Sequence, residues 1–145
     1  MGSLELWSLI VEVATVAVAM GALFGAWREY VHHKKTDNNK LFSQLNERYQ
    51  GNANIQAVVQ YLREKEPSDV KPTLYQVEVF LRFFEELAMY IDSKSLDYGK
   101  TDEFFGYYFH ERMLGCDRGN ELLAPIRDED WVRTLIECWE SKKIN

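Results

Sequence analysis

Few side chains in this 145-residue chain have the type and spacing to do chemistry. Arg28 is followed, after four residues, by His33. A guanidinium can hold the charge of a phosphoryl transition state, and an imidazole titrates near neutral pH, so the pair has the parts needed to cleave a phosphodiester. A second group, Glu5, Ser8, Glu12 and Thr15, recurs at threes and fours inside an otherwise apolar stretch. Acids at such spacing line one face of a helix and, ringed by copies, favour cations. The rest is sparse. There is no Gly-rich phosphate loop, no GxSxG, no HExxH and no CxxC. His110-Glu111 lacks the second histidine of a zinc helix, and Cys116 and Cys138 form no metal or redox spacing. The Glu85-Glu86 pair reads as a solvated helix edge. No residue is therefore assigned as catalytic or as a metal ligand, and no cofactor is expected.

The element that positions both groups is the first 27 residues. Leu4 to Trp27 is 24 residues with Glu5 and Glu12 as its only charges. At about 1.5 Å per residue it reaches roughly 36 Å, enough to cross a ~30 Å hydrocarbon layer with some tilt. Trp7 and Trp27 sit where indoles prefer the lipid–water boundary. The start, MGSLE, carries no side-chain cation, which reads as an uncleaved anchor and not as a signal peptide. All 17 Lys and Arg lie at or after Arg28. The positive-inside rule then places the N-terminus outside and the rest of the chain in the cytoplasm, where both cysteines are reduced.

Two faces of the span differ. The stripe of Glu5, Ser8, Glu12 and Thr15 continues through Ala19, Ala22 and Ala26. On the opposite side Ala17, Gly21 and Gly25 are spaced by four, a small-xxx-small pattern that lets another helix backbone approach closely. Glu12 is the informative residue. A carboxylate against lipid tails is costly, by about 2.5–3.5 kcal/mol on insertion scales that measured Asp and the basic residues. It must bond to a neighbour or face water, and one chain supplies only one span. A homo-oligomer is expected, with Glu5, Ser8, Glu12 and Thr15 lining a hydrated axis and Ala17, Gly21 and Gly25 packing helices. A plain anchor, or pairing with a different protein, is the rival.

Residues 28–40 form a basic juxtamembrane helix, four cations against Glu29 and Asp37, suited to anionic membrane lipid. Residues 41–145 carry 13 cations against 19 acids, so no broad nucleic-acid-binding surface is expected. Leu41, Phe42, Leu45 and Tyr49 follow a helical period, as do Ile55, Val58, Val59 and Leu62 after a break at Gly51. Pro67 and Pro72 bracket a loop. Thr73 with Gln76 reads as a capping box opening a helix whose inner face is Val77, Phe80, Leu81, Phe84, Leu87, Ala88 and Ile91. Thr101, followed by two acids, predicts another N-terminus for a helix dominated by Phe104, Phe105, Tyr108 and Phe109, with Gly115 as its stop. A last helix from about Asp128 is expected to bury Trp131, Leu135, Cys138 and Trp139. No segment alternates as a strand. The fold class is all-α: a single N-terminal transmembrane helix continuing into a small cytoplasmic helical bundle, of four or five helices.

The Arg28–His33 spacing resembles the RxxxxH motif of HEPN ribonucleases, which implies a membrane-tethered ribonuclease. Its place at the bilayer exit also suits an interfacial anchor. Residues 77–114, with Phe83-Phe84-Glu85-Glu86-Leu87 and Phe105-Gly106-Tyr107-Tyr108, resemble an uncharacterised bacterial family with an N-terminal membrane helix and a small helical cytoplasmic domain. Size, single span and the RxxxxH spacing together are similar to the small membrane accessory proteins of type VI-B CRISPR systems. That resemblance implies a multimeric pore in the bacterial inner membrane that supports antiviral defence beside a cytoplasmic RNA-guided effector. A tethered helical adaptor that recruits a cytoplasmic partner is the alternative.

Overall fold

A computed structural model describes residues 2–63 and 70–143, without the side chains of residues 3–6. Among these residues there is helix and no strand. Pro67, one side of the expected loop, lies outside them. The chain divides into two compact units, Met1–Leu41 and Phe42–Asn145.

The first helix, α1, is unbroken over Ser3–Gly51. It contains no proline, and its glycines at 21 and 25 sit where nothing lies within 4 Å of an added Cβ. It is the one described helix long and apolar enough to cross a membrane. Trp7, Leu9, Ile10, Val11, Val13, Val16, Val18, Met20, Leu23, Phe24 and Trp27 are all exposed. An apolar surface of this extent is one that water-soluble proteins ordinarily cover.

The second unit is a bundle around aromatic rings. Gly51 ends α1, and the Asn52 side chain accepts from the backbone N–H of Asn54 and Ile55 at 3.0 and 3.2 Å, opening α2 (Ala53–Arg63). Ile55, Val58, Val59, Tyr61 and Leu62 are buried. Thr73 and Gln76 close the expected capping box, Gln76 N–H donating to Thr73 Oγ1 at 3.3 Å and Thr73 N–H to Gln76 Oε1 at 3.0 Å. They start α3 (Leu74–Asp92), which buries Val77, Phe80, Leu81, Phe84, Leu87 and Ala88 as expected. Ile91 is only half-buried, and Phe83 is buried as well because it meets Tyr49 and Phe105 at 5.3 and 5.5 Å between ring centroids. Lys94, with φ of 58°, turns the chain out of α3.

The next helix starts earlier than Thr101. Asp97 caps α4 (Tyr98–Thr101), its carboxylate accepting from Lys100 N–H at 2.9 Å. Thr101 is fully buried, and its hydroxyl donates back to Asp97 O at 2.6 Å, so it lies inside the helix it was expected to open. The chain continues as two π-helical stretches, Asp102–Gly106 and Tyr108–Leu114, and stops at Gly115. Then follow α5 (Asp117–Leu123) and α6 (Asp130–Lys143). α6 buries Val132, Leu135 and Trp139, while Trp131 and Cys138 are half-buried. The expected stripe was one residue out at its start, because Trp131 packs outward under the Arg82 guanidinium, 3.8 Å from its ring.

Phe80, Phe84, Phe105, Phe109 and Trp139 are essentially sealed from solvent. Phe84 stacks on Phe109 at 4.8 Å, and Trp139 donates its indole N–H to Phe84 O at 3.0 Å. Fully buried rings of this size contribute a few kcal/mol each, which makes about 100 residues sufficient for a core. Arg112 holds α2 by donating to the carbonyl oxygens of Leu62 and Arg63, and Arg118 donates to Tyr61 O at 3.0 Å. Those carbonyls are the ones a helix leaves unpaired at its C-terminus.

Candidate functional site

Because α1 is unbroken, the positions of its side chains follow from about 100° per residue. Ser8, Glu12 and Thr15 fall within roughly 60° of one another, and Ala17, Gly21 and Gly25 centre about 140° away. Glu12 is exposed, and no bond to it exists among the described residues. Thr15 donates its hydroxyl to Val11 O at 2.7 Å, so its oxygen presents lone pairs outward while its proton stays within the helix. The Glu5 side chain lies outside the described residues.

Helical continuity carries both faces beyond Trp27, which the sequence reading stopped short of using. The stripe side receives Glu29, His33 and Asp37; the glycine side receives Arg28, His32 and Lys35. Arg28, His32 and Lys35 thus share the glycine side, while Lys40 falls among Glu29, His33 and Asp37 on the stripe side. The signal was present in the threes and fours of Ala22, Ala26, Glu29 and His33. His33 Nε2 stands 3.8 Å from Glu29 Oε1, one turn back, and Thr36 donates to His32 O at 3.0 Å.

Arg28 and His33 share this helix but project about 140° apart, so a single copy does not aim both at one phosphate. Both are exposed, and among the described residues the contact of His33 is Glu29.

Among the described residues the second unit holds a polar cluster that sequence reasoning missed. Asp102, Gly106 and His110 are spaced by four on the π-helical segment. Asp102 lies over Gly106, where a Cβ would sit 1.9 Å from Asp102 Oδ1. The carboxylate thereby reaches His110 Nε2 at 3.2 Å, poorly aligned for an N–H···O bond. The His110 side chain is 8% exposed, and Trp139 covers it at 5.7 Å between ring centroids. The Tyr98 hydroxyl is buried too, without a hydrogen-bond partner among the described residues. Burial pushes the His110 imidazole below the usual histidine range, and the neighbouring Asp102 pulls it back only in part. Burial, then Asp102, pushes the Tyr98 phenol up. Asp102 and His110 thus form an acid–imidazole pair. The cleft it borders carries Leu114, Gly115, Glu140 and Lys143, and Lys143 Nζ stands 4.0 Å from Glu111 Oε1.

No family model, curated protein or solved structure matches this chain. Among the described residues no three His, Cys, Asp or Glu side chains converge on a point where a metal ion could sit. The geometry of α1 is consequently the feature from which function can be argued.

Proposed function

We propose that the chain is a single-pass membrane protein that assembles with copies of itself, and that the stripe of Glu5, Ser8, Glu12 and Thr15 lines a hydrated path for cations. One observation carries the reading. Glu12 stands in the middle of an exposed apolar helix that no other part of the described chain covers. A carboxylate there avoids lipid only if further helices shield it or if water reaches it. Copies of the same helix supply both, since they bring the same stripe to a common axis. Ala17, Gly21 and Gly25 support close packing with a neighbouring helix, because a methyl group or a hydrogen keeps the approach distance short. Basic residues from Arg28 onward support a cytoplasmic helical domain and an outer N-terminus. Dissipation of an ion gradient would be the activity. A role in antiviral defence beside an RNA-guided effector follows from the resemblance to type VI-B accessory proteins and rests on that resemblance.

The test is ion flux across vesicles carrying the purified protein, measured for wild type and for Glu12→Leu. The reading requires flux from the wild type and a loss of about tenfold or more in the variant, as expected when a carboxylate in the path is removed. Equal flux from both takes Glu12 out of the path.

A tethered adaptor is the second reading, supported by exposed aromatic residues on the bundle. Phe104 and Tyr107 are 56% and 54% exposed, adjacent to the buried Phe105 and Gly106. Replacing the span by an unrelated apolar helix separates the two readings, since an adaptor keeps its activity and a pore loses it.

A further inference from the structure

We propose that the docking of α6 on the rest of the bundle is an acid-sensitive latch: α6 seals His110, and a proton taken from water by that imidazole opens the seal. The inference concerns the second unit alone and does not depend on self-association.

His110 lies on the π-helical stretch Tyr108–Leu114, and α6 closes over it. The Trp139 indole stands 5.7 Å from the imidazole between ring centroids, at 70° to it. The same indole meets Phe84, Phe109 and Tyr98 at 5.6, 5.5 and 6.1 Å. One side chain of α6 thus covers the histidine and plugs the aromatic core. Glu140 and Lys143, also from α6, border the cleft at His110 together with Leu114 and Gly115.

A neutral imidazole has one N–H to place, and an imidazolium has two. Few groups face this ring. Asp102, lying over Gly106, is the nearest acceptor, 3.2 Å from Nε2. The Tyr98 phenol is pushed up by burial, then by Asp102, and stays neutral. Glu140 on α6 and Glu111 on the same stretch add negative charge at longer range, and Lys143 on α6 adds a like charge. Asp102 can take one of the two donors. The second must reach water, because a buried N–H without an acceptor is costly, and Trp139 is the side chain that covers the ring. Burial outweighs Asp102 in holding the imidazole below its usual range, so the proton binds more readily once α6 has lifted. The opened form is therefore favoured as pH falls below about 6.5, the value of an unburied histidine.

Hydrogen exchange of the full chain in detergent, corrected for the intrinsic pH dependence of exchange, tests the latch at pH 7 and pH 5. The opening constant of α6 should rise about fivefold or more, against a limit of roughly 25-fold for a group that titrates near 6.5 when exposed. α2 (Ala53–Arg63) should stay better protected than α6 at both pH values, because the rest of the bundle remains closed. His110→Gln should abolish the rise. The double variant His32→Gln, His33→Gln should keep it, and Asp102→Ala should enlarge it by removing the nearest counter-charge. An opening constant of α6 that does not rise overturns the proposal, as does a rise that survives His110→Gln or disappears in Asp102→Ala. Equal protection of α6 and α2 also overturns it, because the opening is then that of the whole bundle. If His110→Gln does not fold, wild type and Asp102→Ala decide between these outcomes.

Discussion

Gly106→Ala introduces a single methyl group where the Asp102 side chain already lies. Its Cβ would stand 1.9 Å from Asp102 Oδ1 and 2.7 Å from Asp102 Cγ, so the Asp102 side chain must leave. Displacement takes the carboxylate away from His110 Nε2, but the two are too poorly aligned to share a hydrogen bond, so none is lost there. Forcing an extra methyl into a packed site costs about 1–3 kcal/mol before relaxation. Alanine returns about 1 kcal/mol through its better helix propensity. The net expectation is a loss of roughly 1 kcal/mol from the bundle. In an Asp102→Ala background the clash is gone, and the same Gly106→Ala change should stabilise by about 0.5–1 kcal/mol. The coupling between positions 102 and 106 is then about 1.5–2 kcal/mol, well beyond the ~0.5 kcal/mol scatter of independent sites. Urea unfolding of the detergent-solubilised chain, followed by circular dichroism and near-ultraviolet signals from Trp139, measures all four corners. Additive effects, or a Gly106→Ala variant more stable than wild type, would refute the crossing of Asp102 over Gly106.

Acid should weaken the bundle through His110. Its pKa is depressed in the folded state, so the neutral imidazole contributes stability above about pH 6.5, the unfolded value, and that contribution is lost as pH falls toward the folded value. His110→Gln should remove that component of the fall in melting temperature between pH 7 and pH 5, and an unchanged profile would clear His110 of the role. Arg112→Met should cost about 1.5–3 kcal/mol, because the carbonyls of Leu62 and Arg63 lose a charged donor while the aliphatic stem is retained, and hydrogen exchange at the end of α2 should rise. An exchange rate like that of wild type would show that other donors cap α2.

The helices were largely legible because their signals are local. Thr73 and Gln76 announced α3 by a bond between residues three apart, and the threes and fours of Val77, Phe80, Leu81, Phe84, Leu87 and Ala88 named the face it buries. The same periodicity placed the stripe and the glycines on opposite sides of α1. What stayed hidden depended on contacts at a distance or on competing local signals. Thr101 before two acids looks like a helix start, yet Asp97 takes the cap and Thr101 bonds back to it. Phe104, Phe105, Tyr108 and Phe109 fit an α-helix as well as the wider π-turn that they adopt, so spacing alone does not separate the two. Phe83 is buried by Tyr49 and Phe105, which arrive from other elements. The Asp102–His110 pair depends on a glycine halfway between them, and only the fold shows that the carboxylate crosses there.

Self-association is the premise on which the hydrated path depends. Mass measurement of the particle released in a mild detergent or a lipid nanodisc tests it most directly. One polypeptide weighs 17.1 kDa, and the account predicts a particle containing several of them. A protein mass of 17.1 kDa with no second subunit would contradict it, because Glu12 would then stand in the membrane with neither a neighbour nor water.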